Sequence, residues 1–476
     1  MMLSRGSVTC LVTALVCGSL CRIGFSQGSP SSSKPSISEQ RSLWSRPGED
    51  WPLFLGPTGN GRSELCGLVV PWVKTGPEVC WAIELGEGYC GPSVSKGRVF
   101  VFDRLVGEER LRCIEAETGH LLWEKTTPTG YVDMFGYDGG PRASPVVCDD
   151  CVITYGVEGL LACRRLSDGA LKWKVETGKE FHVVPNFFGV GASPVVYKKA
   201  TGVQGKLVIA QVGGSAPGET PANPQRLDLV KGLDSGLVAF DIENGREVWR
   251  TSSELASYST PLLHSFGKEV RLLAWMRDHL LLIDPETGDV KDSFSWRAKE
   301  LFSVVAATPV VRDVEVLLSE TYGPGSVLLG VENDSFIERR HDPPRSRHRN
   351  SLRCHWATPV LHKGCLYGTT GRNSGDALFA CADWKTGELY WVEPGLGRAG
   401  CVLVNDMLIV LSEFGELLLI KASKNECEII SRCELRDRQS GNTLLNPPCW
   451  ASPVVAHGYL FVRGAGKLVC LDLMHQ

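Results

Sequence analysis

The sequence has no long apolar run beyond its first residues and no strong excess of charge of either sign. Its 476 residues include 50 Lys and Arg and 54 Asp and Glu, for a formal net charge of -4. Nucleic-acid binding depends on positive charge facing phosphate, so this balance gives no reason to expect a nucleic-acid partner. No segment after the N-terminal region is apolar over the roughly 20 residues that a membrane-spanning helix needs. We therefore expect no nucleic-acid partner and no membrane span in the mature chain.

Several motifs that carry chemistry are also missing. The chain has no Cys-Cys dipeptide, no Cys-x-x-Cys-His haem attachment site, no glycine-rich phosphate loop and no nucleophile elbow. The single Cys-x-x-Cys, Cys148 to Cys151, has no second pair in reach, and His355 and His362 have no third ligand at metal spacing. No zinc site is therefore predicted. A hydrolase is disfavoured because neither a nucleophile nor a carboxylate pair can be identified.

The N-terminal residues have the pattern of an export signal. Arg5 supplies a positive charge, Val8 to Leu20 is apolar, and Gly24 and Ser26 are the small residues that a signal peptidase requires. The apolar run is too short for a membrane anchor. A lipoprotein is disfavoured because the two later cysteines of this region follow Val16 and Leu20. We predict export to the periplasm or the extracellular side of the cell envelope.

Three segments follow from this interpretation. Residues 1–26 are predicted to be the signal peptide, and residues 27–49, rich in Ser and Pro, a disordered tether. Residues 50–476 form the folded domain, which we expect to be a monomer.

Cysteine usage leaves the disulfide pattern open. Of 18 cysteines, Cys10, Cys17 and Cys21 leave with the signal, so fifteen remain, an odd number in an oxidising compartment. At least one is therefore free or paired between molecules. Cys148 and Cys151 flank a turn and form either a cross-strand disulfide or two buried thiols.

A phrase typified by LVAFDIENGREVWR, Leu237 to Arg250, recurs along the chain. Each copy has an apolar run, a glycine turn and, in four of five copies, a tryptophan four residues after the glycine; Asp292 replaces it in the fourth copy. The glycines are Gly119, Gly169, Gly245, Gly288 and Gly387, and the tryptophans are Trp123, Trp173, Trp249 and Trp391. Glycine supplies the positive φ of a tight hairpin. We expect each tryptophan to pack near the glycine turn of the neighbouring repeat.

A second phrase, close to Ser/Thr-Pro-Val-Val, precedes each copy. Its prolines are 92, 145, 194, 261, 309, 359 and 453, and a degenerate version begins near Gly397. The unit is about 50 residues long and contains four short apolar runs, which is typical of a propeller blade. Helical periodicity is absent. We predict an all-β fold, an eight-bladed β-propeller of four-stranded blades, in which Pro77 to Leu85, with Trp81, closes the last blade.

The repeated phrase resembles the tryptophan-docking motif of quinoprotein alcohol dehydrogenases and of their non-catalytic BamB-like relatives. Most of the mature chain is similar to exported bacterial propellers of the PQQ-like class (PQQ, pyrroloquinoline quinone). The stretches that carry this resemblance are Asp50–Gly61, Phe181–Val196, Ser253–Pro261, His355–Arg372 and Cys449–Leu473. The resemblance implies the fold. It leaves the activity open, because it covers both binding proteins and dehydrogenases that hold PQQ and Ca²⁺ over the central channel.

The long loops indicate which face of the propeller carries a site. Residues 127–144, 177–193 and 212–236 are too long for hairpins, and long loops on a rigid scaffold commonly bind ligands. Polar residues recur just after the second strands, and others lie in the loops. Together they form the candidate ligand face: Arg142, His182, Arg277, Arg297, Glu320, His355, Arg372, Arg398, Glu413 and Arg463. The alternative is that these residues, and Asp103, pair with one another and tie blades together.

The sequence is therefore consistent with two functions. The leading hypothesis is a non-catalytic binding or scaffolding propeller without a cofactor, which presents its long-loop face to a protein or glycan of the cell envelope. The alternative is a quinoprotein oxidoreductase that uses PQQ and Ca²⁺ on the same face to oxidise alcohols or sugars. Phe187 and Phe188 are either binding platforms or packing residues.

Overall fold

Four-stranded antiparallel sheets follow one another along the chain, each formed almost entirely from consecutive strands. The computed structural model describes residues 46–198, 205–223, 225–343 and 351–475. The predicted signal peptide and nearly all of the predicted tether lie outside these residues. Residues 46–49, at the end of the predicted tether, lie beside the last sheet, where Arg46 pairs with Asp472 at 2.6 Å.

The strands of the first four blades are short and bounded by turns. They are Ser93–Ser95, Arg98–Leu105, Glu108–Glu115 and Leu121–Pro128 in blade 1; Val146–Cys148, Cys151–Tyr155, Leu160–Arg165 and Leu171–Glu176 in blade 2; Val195–Lys198, Lys206–Gln211, Leu237–Asp241 and Glu247–Thr251 in blade 3; and Leu262–Phe266, Glu269–Trp275, His279–Ile283 and Val290–Ser295 in blade 4.

The second half repeats the pattern. Its strands are Val310–Arg312, Glu315–Glu320, Gly325–Glu332 and Ser335–His341 in blade 5; Val360–His362, Cys365–Thr370, Leu378–Asp383 and Leu389–Glu393 in blade 6; Gly400–Val404, Met407–Leu411, Glu416–Lys421 and Glu428–Glu434 in blade 7; and Val454–Ala456, Tyr459–Gly464 and Lys467–Asp472 in blade 8. A two-residue strand, Arg62–Ser63, adds in parallel to the first strand of blade 7.

The eighth blade takes its outermost strand from the N-terminal region. Glu78–Glu84 pairs antiparallel with Lys467–Asp472, and Trp81 lies opposite Cys470. The predicted eight-bladed all-β propeller and its closure by an N-terminal strand are confirmed. The described helices are one turn each, Thr177–Glu180 and Leu227–Leu229, and none in the described ranges is long and apolar enough to cross a membrane.

Apolar side chains fill the seams between neighbouring blades. Val208, Val238 and Phe240 of blade 3, all fully buried, share a cluster with Ile153 and Trp173 of blade 2. Because a blade is a thin sheet with both faces covered, its second and third strands are apolar at consecutive positions. This accounts for the apolar runs in the sequence and for the absence of a clear alternation along them.

The tryptophans dock on the next blade's turn. Gly245 has a φ of +72°, and a Cβ atom there would lie 2.7 Å from the indole of Trp173. The indole Nε1 of Trp173 donates to the carbonyl of Ile242 at 2.7 Å, three residues before that glycine. The same arrangement joins Trp81 to Gly119, Trp123 to Gly169 and Trp249 to Gly288.

Blades 5 and 6 depart from this arrangement. At the Gly387 turn, Arg340 occupies the place of the tryptophan and contacts the position that a Cβ atom would take. Trp391 donates to the carbonyl of Ser423 at 2.8 Å in blade 7, where the turn has no equivalent glycine.

The first strands of the blades surround the central axis. The backbone N–H of Ser144 donates to Ser193 Oγ at 2.9 Å, and that of Ser193 to Thr260 Oγ1 at 3.2 Å. These bonds link blades 2, 3 and 4 side by side through the Ser/Thr that precedes the first-strand proline. The start of each blade is therefore the part closest to the channel.

All fifteen described cysteines are free thiols, most of them buried. Cys148 and Cys151 face each other across a hairpin without a bond, so the buried-thiol alternative describes this pair.

Candidate functional site

The start of every blade contributes one residue to the mouth of the channel. Each lies three positions before the first-strand proline, or before Cys401, which takes its place in blade 7. These eight residues, called the mouth ring, are Tyr89, Arg142, Gly191, Tyr258, Ala306, Trp356, Arg398 and Trp450. They line one cavity of about 550 Å³, called the channel cavity. This is the size range in which small-molecule sites are found.

The long loops complete the walls of the channel cavity. Phe135 and Tyr137 come from residues 127–144, and Phe187 and Phe188 come from residues 177–193. Further residues of the wall are Gln225, Phe302, Tyr322, Arg372 and Asn373. Two of the three long loops predicted to mark the candidate ligand face therefore contribute aromatic side chains to this cavity.

Aromatic rings form a nearly continuous belt around the cavity. Trp450 lies 4.7 Å from Tyr89 and 4.9 Å from Trp356, between ring centroids. Through Tyr137, at 5.7 Å, it connects to Phe188 and so to the blade 4 side of the mouth. All these rings are tilted or edge-on to one another, so they present apolar faces in several directions.

Arg398 is held between two indole rings. Its guanidinium carbon lies 4.6 Å from the ring centroid of Trp356 and 4.7 Å from that of Trp450. Its Nη2 donates to Glu413 Oε1 at 2.5 Å, and the same oxygen accepts the Trp450 indole N–H at 2.8 Å. Burial opposes ionisation of Glu413, but the bonds from Arg398 outweigh it and lower the pKa of Glu413 to about 2. This pair fixes both tryptophans of the wall.

The two other arginines of the cavity differ in their partners. Arg142 Nη2 donates to Asp133 at 3.1 Å, and Asp138 lies 3.8 Å from Nη1. Arg372 is exposed, with its guanidinium carbon 4.5 Å from the Tyr322 ring and 5.2 Å from the Phe302 ring. In the described ranges no carboxylate forms an ion pair with it.

His355 contributes a neutral ring to the wall. Burial, with the positive charges of Arg398 and Arg372, lowers the pKa of His355 to about 3. Its Nε2 lies 2.9 Å from the hydroxyl of Tyr322. The imidazole is therefore uncharged at neutral pH and positions Tyr322 beside Arg372.

The structure brings together half of the predicted ligand face. Arg142, His355, Arg372 and Arg398 line the channel cavity, and Glu413 lies directly behind Arg398. The other five do not line it: His182, Arg277, Arg297, Glu320 and Arg463.

These five have other environments. His182 is exposed, and Arg297 pairs with Asp278 at 2.5 Å. Glu320 accepts the N–H groups of Tyr322 and Gly323, and burial raises its pKa to about 7.

The two buried arginines lie in the seams between blades. Arg463 donates to the carbonyl of Cys90 at 2.8 Å and so ties blade 8 to blade 1. Arg277 is only 4% exposed, and neither of its Nη atoms has a partner in the described part of the chain. Burial lowers the pKa of Arg277 to about 10. Asp103, also considered from the sequence, is buried between Arg110 and Arg112 at 2.8 and 2.9 Å.

Most of the aromatic wall was missed in the sequence. Tyr89, Tyr258, Trp356 and Trp450 all stand three residues before a first-strand proline, and this shared position is a signal that could have found them. Tyr137 and Phe302 come from loops without a repeated position, so no comparable signal existed for them.

The donors in the cavity are suited to anions and not to hard cations. None of the described residues that line it is acidic, and no cluster of three metal-ligating side chains occurs in the described ranges. Calcium takes six to eight oxygen ligands, usually including carboxylates. The cavity instead offers guanidinium groups, aromatic faces and a few amide and hydroxyl groups.

The comparisons with known proteins agree with the fold. The family model described as outer membrane protein assembly factor BamB matches residues 65–183, 107–330 and 234–428. No curated protein matches the sequence.

Solved structures with the same fold include BamB from Moraxella catarrhalis, with a TM-score of 0.54 and 14% identity over 84% of this chain and 98% of that one. The quinohemoprotein alcohol dehydrogenase from Comamonas testosteroni has a TM-score of 0.60 and 10% identity over 90% of this chain and 81% of that one. Identities this low establish the fold alone, but the family match extends over most of the chain. The protein therefore belongs to the family of the outer membrane protein assembly factor BamB.

Proposed function

We propose that this chain is an exported, non-catalytic binding propeller of the cell envelope, which holds its partner at the mouth of the channel. The observation that carries the proposal is the composition of the mouth: aromatic rings and arginines in a concave site without a described acidic residue. Tyrosine, tryptophan and arginine are the residues that most often dominate binding energy at interfaces. The export signal in the sequence and the membership of the BamB family support the envelope as the location.

Exposed apolar side chains at the rim support a partner that covers the mouth. Phe135 is 42% exposed and Phe302 49% exposed, and both belong to the channel cavity. Large aromatic side chains left in water at the edge of a concave site mark surfaces that other molecules cover. The rigid ring of blades beneath them holds these groups in place before binding, which lowers the entropy cost of association.

A quinoprotein oxidoreductase is the second candidate, favoured by the likeness in fold to an alcohol dehydrogenase. The channel cavity fits this chemistry poorly. Calcium sites usually include carboxylate oxygens, and removal of a hydroxyl proton needs a base such as an ionised carboxylate. Glu413 accepts hydrogen bonds from Arg398, Ser374 and Trp450, and Asp133 accepts one from Arg142. We therefore derive no catalytic step through PQQ.

One purification separates the two candidates. The full chain is incubated with PQQ and Ca²⁺, desalted, and examined for quinone absorbance and for dye reduction with alcohols or aldoses. We expect no PQQ to be retained. Stoichiometric retention would overturn the non-catalytic proposal.

A pull-down from envelope extract then tests whether the partner binds at the mouth of the channel. Phe135→Ala is expected to lose the partner that the wild-type chain captures. Tyr390→Ala is the matched control, since Tyr390 is also 42% exposed but lies on the outer strand of blade 6. Equal capture of the partner by both variants would show that the partner binds at a surface other than the channel mouth.

A further inference from the structure

The three arginines of the channel cavity differ in how they are paired. Arg142 lies beside both Asp133 and Asp138, and Arg398 is paired with Glu413. Arg372 has no ion-pair partner in the described part of the chain, and no acidic side chain there lines the cavity beside it. Its guanidinium can therefore pair with one acidic group of an occupant. A second acidic group would find no further unpaired arginine among the described residues of the cavity, and an unpaired charge is costly in a largely apolar site.

Arg372 is positioned to receive that charge. Its guanidinium is held by cation–π contact with Tyr322 and Phe302, which reduces the side-chain entropy lost on binding. A guanidinium carries five N–H donors in a planar fork, which matches the oxygens of a carboxylate or sulfate group. The neutral imidazole of His355 hydrogen-bonds the Tyr322 hydroxyl and adds no second charge beside Arg372.

The aromatic walls indicate the shape of the rest of the occupant. Trp356 and Trp450 meet at 59°, Tyr89 and Trp450 at 48°, and Tyr137 and Trp450 at 57°. A flat polycyclic molecule is best enclosed by two parallel faces, and these rings provide no such slot. Rings tilted in several directions suit a puckered ring that has C–H groups on its faces and polar groups at its edges.

Hydrogen-bonding groups are spaced between the aromatic rings. Ser193, Thr260 and Ser452 lie along the mouth, and Gln225 and Asn373 contribute side-chain amides from the loops. Hydroxyls and amides both donate and accept, so they match the hydroxyl groups of a sugar without requiring a charge. The cavity of about 550 Å³ has room for a short oligosaccharide end.

From these observations we propose that the channel cavity binds the end of a glycan whose terminal sugar carries one acidic group, with that group on Arg372 and sugar faces on Trp356 and Trp450. The proposal rests on the proposed function, since it names the ligand class of the same site. It identifies the envelope partner as an acidic glycan and makes a purely protein partner an outcome of the test.

Calorimetric titration of the full chain tests this ligand class. The probes are cellobiouronic acid, a disaccharide with one carboxylate, cellobiose 6′-sulfate and neutral cellobiose. We expect at least one of the acidic sugars to bind at least about tenfold more tightly than cellobiose, as a charge-assisted hydrogen-bonded pair would produce. A preference between carboxylate and sulfate identifies the acidic group. Equal affinity for acidic and neutral sugars, or no binding at millimolar concentration, overturns the proposal.

Two variants locate the anion. Arg372→Gln is expected to lose the preference for the acidic sugar and to keep the affinity for cellobiose. Arg165→Gln is the matched control, because Arg165 is an exposed arginine paired with Asp168 in the blade 2 turn, away from the cavity. Unchanged affinity of Arg372→Gln for the acidic sugar overturns the assignment. If no sugar binds but the Phe135-dependent partner is still captured, the acidic glycan is excluded and the proposed function stands.

Discussion

Glu109 is a buried carboxyl group at the seam between blades 1 and 2. It is 5% exposed, and its Oε1 accepts the backbone N–H of Val157 at 2.7 Å. Burial raises the pKa of Glu109 to about 7, and the nearby carboxylate of Glu158 acts in the same direction. Arg104 and Arg142 are close enough to oppose the shift but do not reverse it. The folded state therefore holds this carboxyl as a neutral acid over a range in which the unfolded chain ionises it.

A Glu109→Gln substitution tests this linkage. Below pH 4.5, the ordinary value for glutamate, both states bind the proton and stability is unaffected. As pH rises from 4.5 to about 7 the unfolded chain loses the proton first, so the folded state loses up to ~3 kcal/mol of stability. The glutamine variant keeps an acceptor for the Val157 N–H, and its free energy of unfolding should fall less than that of the wild type as the pH rises. Urea unfolding at pH 4.5 and pH 8 measures the difference.

The control for this experiment is the adjacent position. Glu108 is exposed on the same strand, and Glu108→Gln should leave the decline as it is in the wild type. Part of the decline remains in both variants because burial also raises the pKa of Glu320 to about 7. An identical decline in Glu109→Gln and wild type would show that Glu109 is ionised in the folded state.

At the scale of the strand and turn, the docking of a tryptophan on a glycine joins neighbouring blades. Asp241 Oδ1 accepts the N–H groups of Glu243 and Asn244, which shapes the turn and places Gly245 under Trp173. The carboxylate, glycine and tryptophan of the repeated phrase are thus all parts of the scaffold. The phrase recurs because the same contact joins blade 8 to blade 1 and each successive pair from blade 1 to blade 4.

Two glycine substitutions separate the cost of backbone strain from the cost of disturbing the tryptophan–glycine contact. Gly245 and Gly267 both have positive φ, +72° and +64°, but an added Cβ meets Trp173 at the first and nothing within 4 Å at the second. Gly267→Ala should cost about 1 kcal/mol of unfolding free energy from backbone strain alone. Gly245→Ala should cost about 3 kcal/mol, because the indole must also move. Chemical denaturation measures both; equal costs would mean that the indole shifts freely.

The repeat also explains what could be predicted from the sequence. Apolar runs, turn glycines and first-strand prolines are local features that recur in register, so blade number, strand order and ring closure followed from them. The mouth ring keeps the same register, as Trp356 and Trp450 show, but only its position before the proline recurs, because its eight side chains are of different types.

The rest of the site depends on geometry that no local pattern contains. Arg277 and Arg372 both follow second strands, yet Arg372 lines the cavity while Arg277 is buried away from it. Phe135 and Gln225 reach the cavity through long loops whose paths depend on contacts with one another. Loop length therefore predicted which loops would reach the channel cavity but not which side chains would meet there.

At the scale of the whole molecule, the ring is closed by a strand that is distant in sequence from the blade it completes. Trp81 of this strand donates to the carbonyl of Ala116 at 2.9 Å, so Glu78–Glu84 connects blade 8 to blade 1. Opening here would expose unpaired strand edges on both sides of the gap. Cys80 lies on this strand where the register shifts beside Trp81, and burial together with the nearby Cys80 thiol raises the pKa of Cys470 on the neighbouring strand.

Oxidation of Cys80 and Cys470 to a disulfide would close the ring covalently. Two thiols would give up two protons and two electrons to an oxidant such as oxidised glutathione. The bond would close a loop over most of the chain, and restricting so long a loop in the unfolded state is worth ~6 kcal/mol in the chain-entropy model. We expect oxidised glutathione to raise the melting temperature of the wild type and to leave the melting temperature of Cys80→Ser unchanged.

Cys66→Ser is the matched control, since Cys66 is also an exposed thiol, and it should respond like the wild type. Mass spectrometry of non-reduced peptides would identify the bond, and a response of Cys80→Ser equal to that of the wild type would place the oxidised pair elsewhere. Because Cys80 is exposed and its strand completes blade 8, the redox state of Cys80 would change the stability of the closed ring.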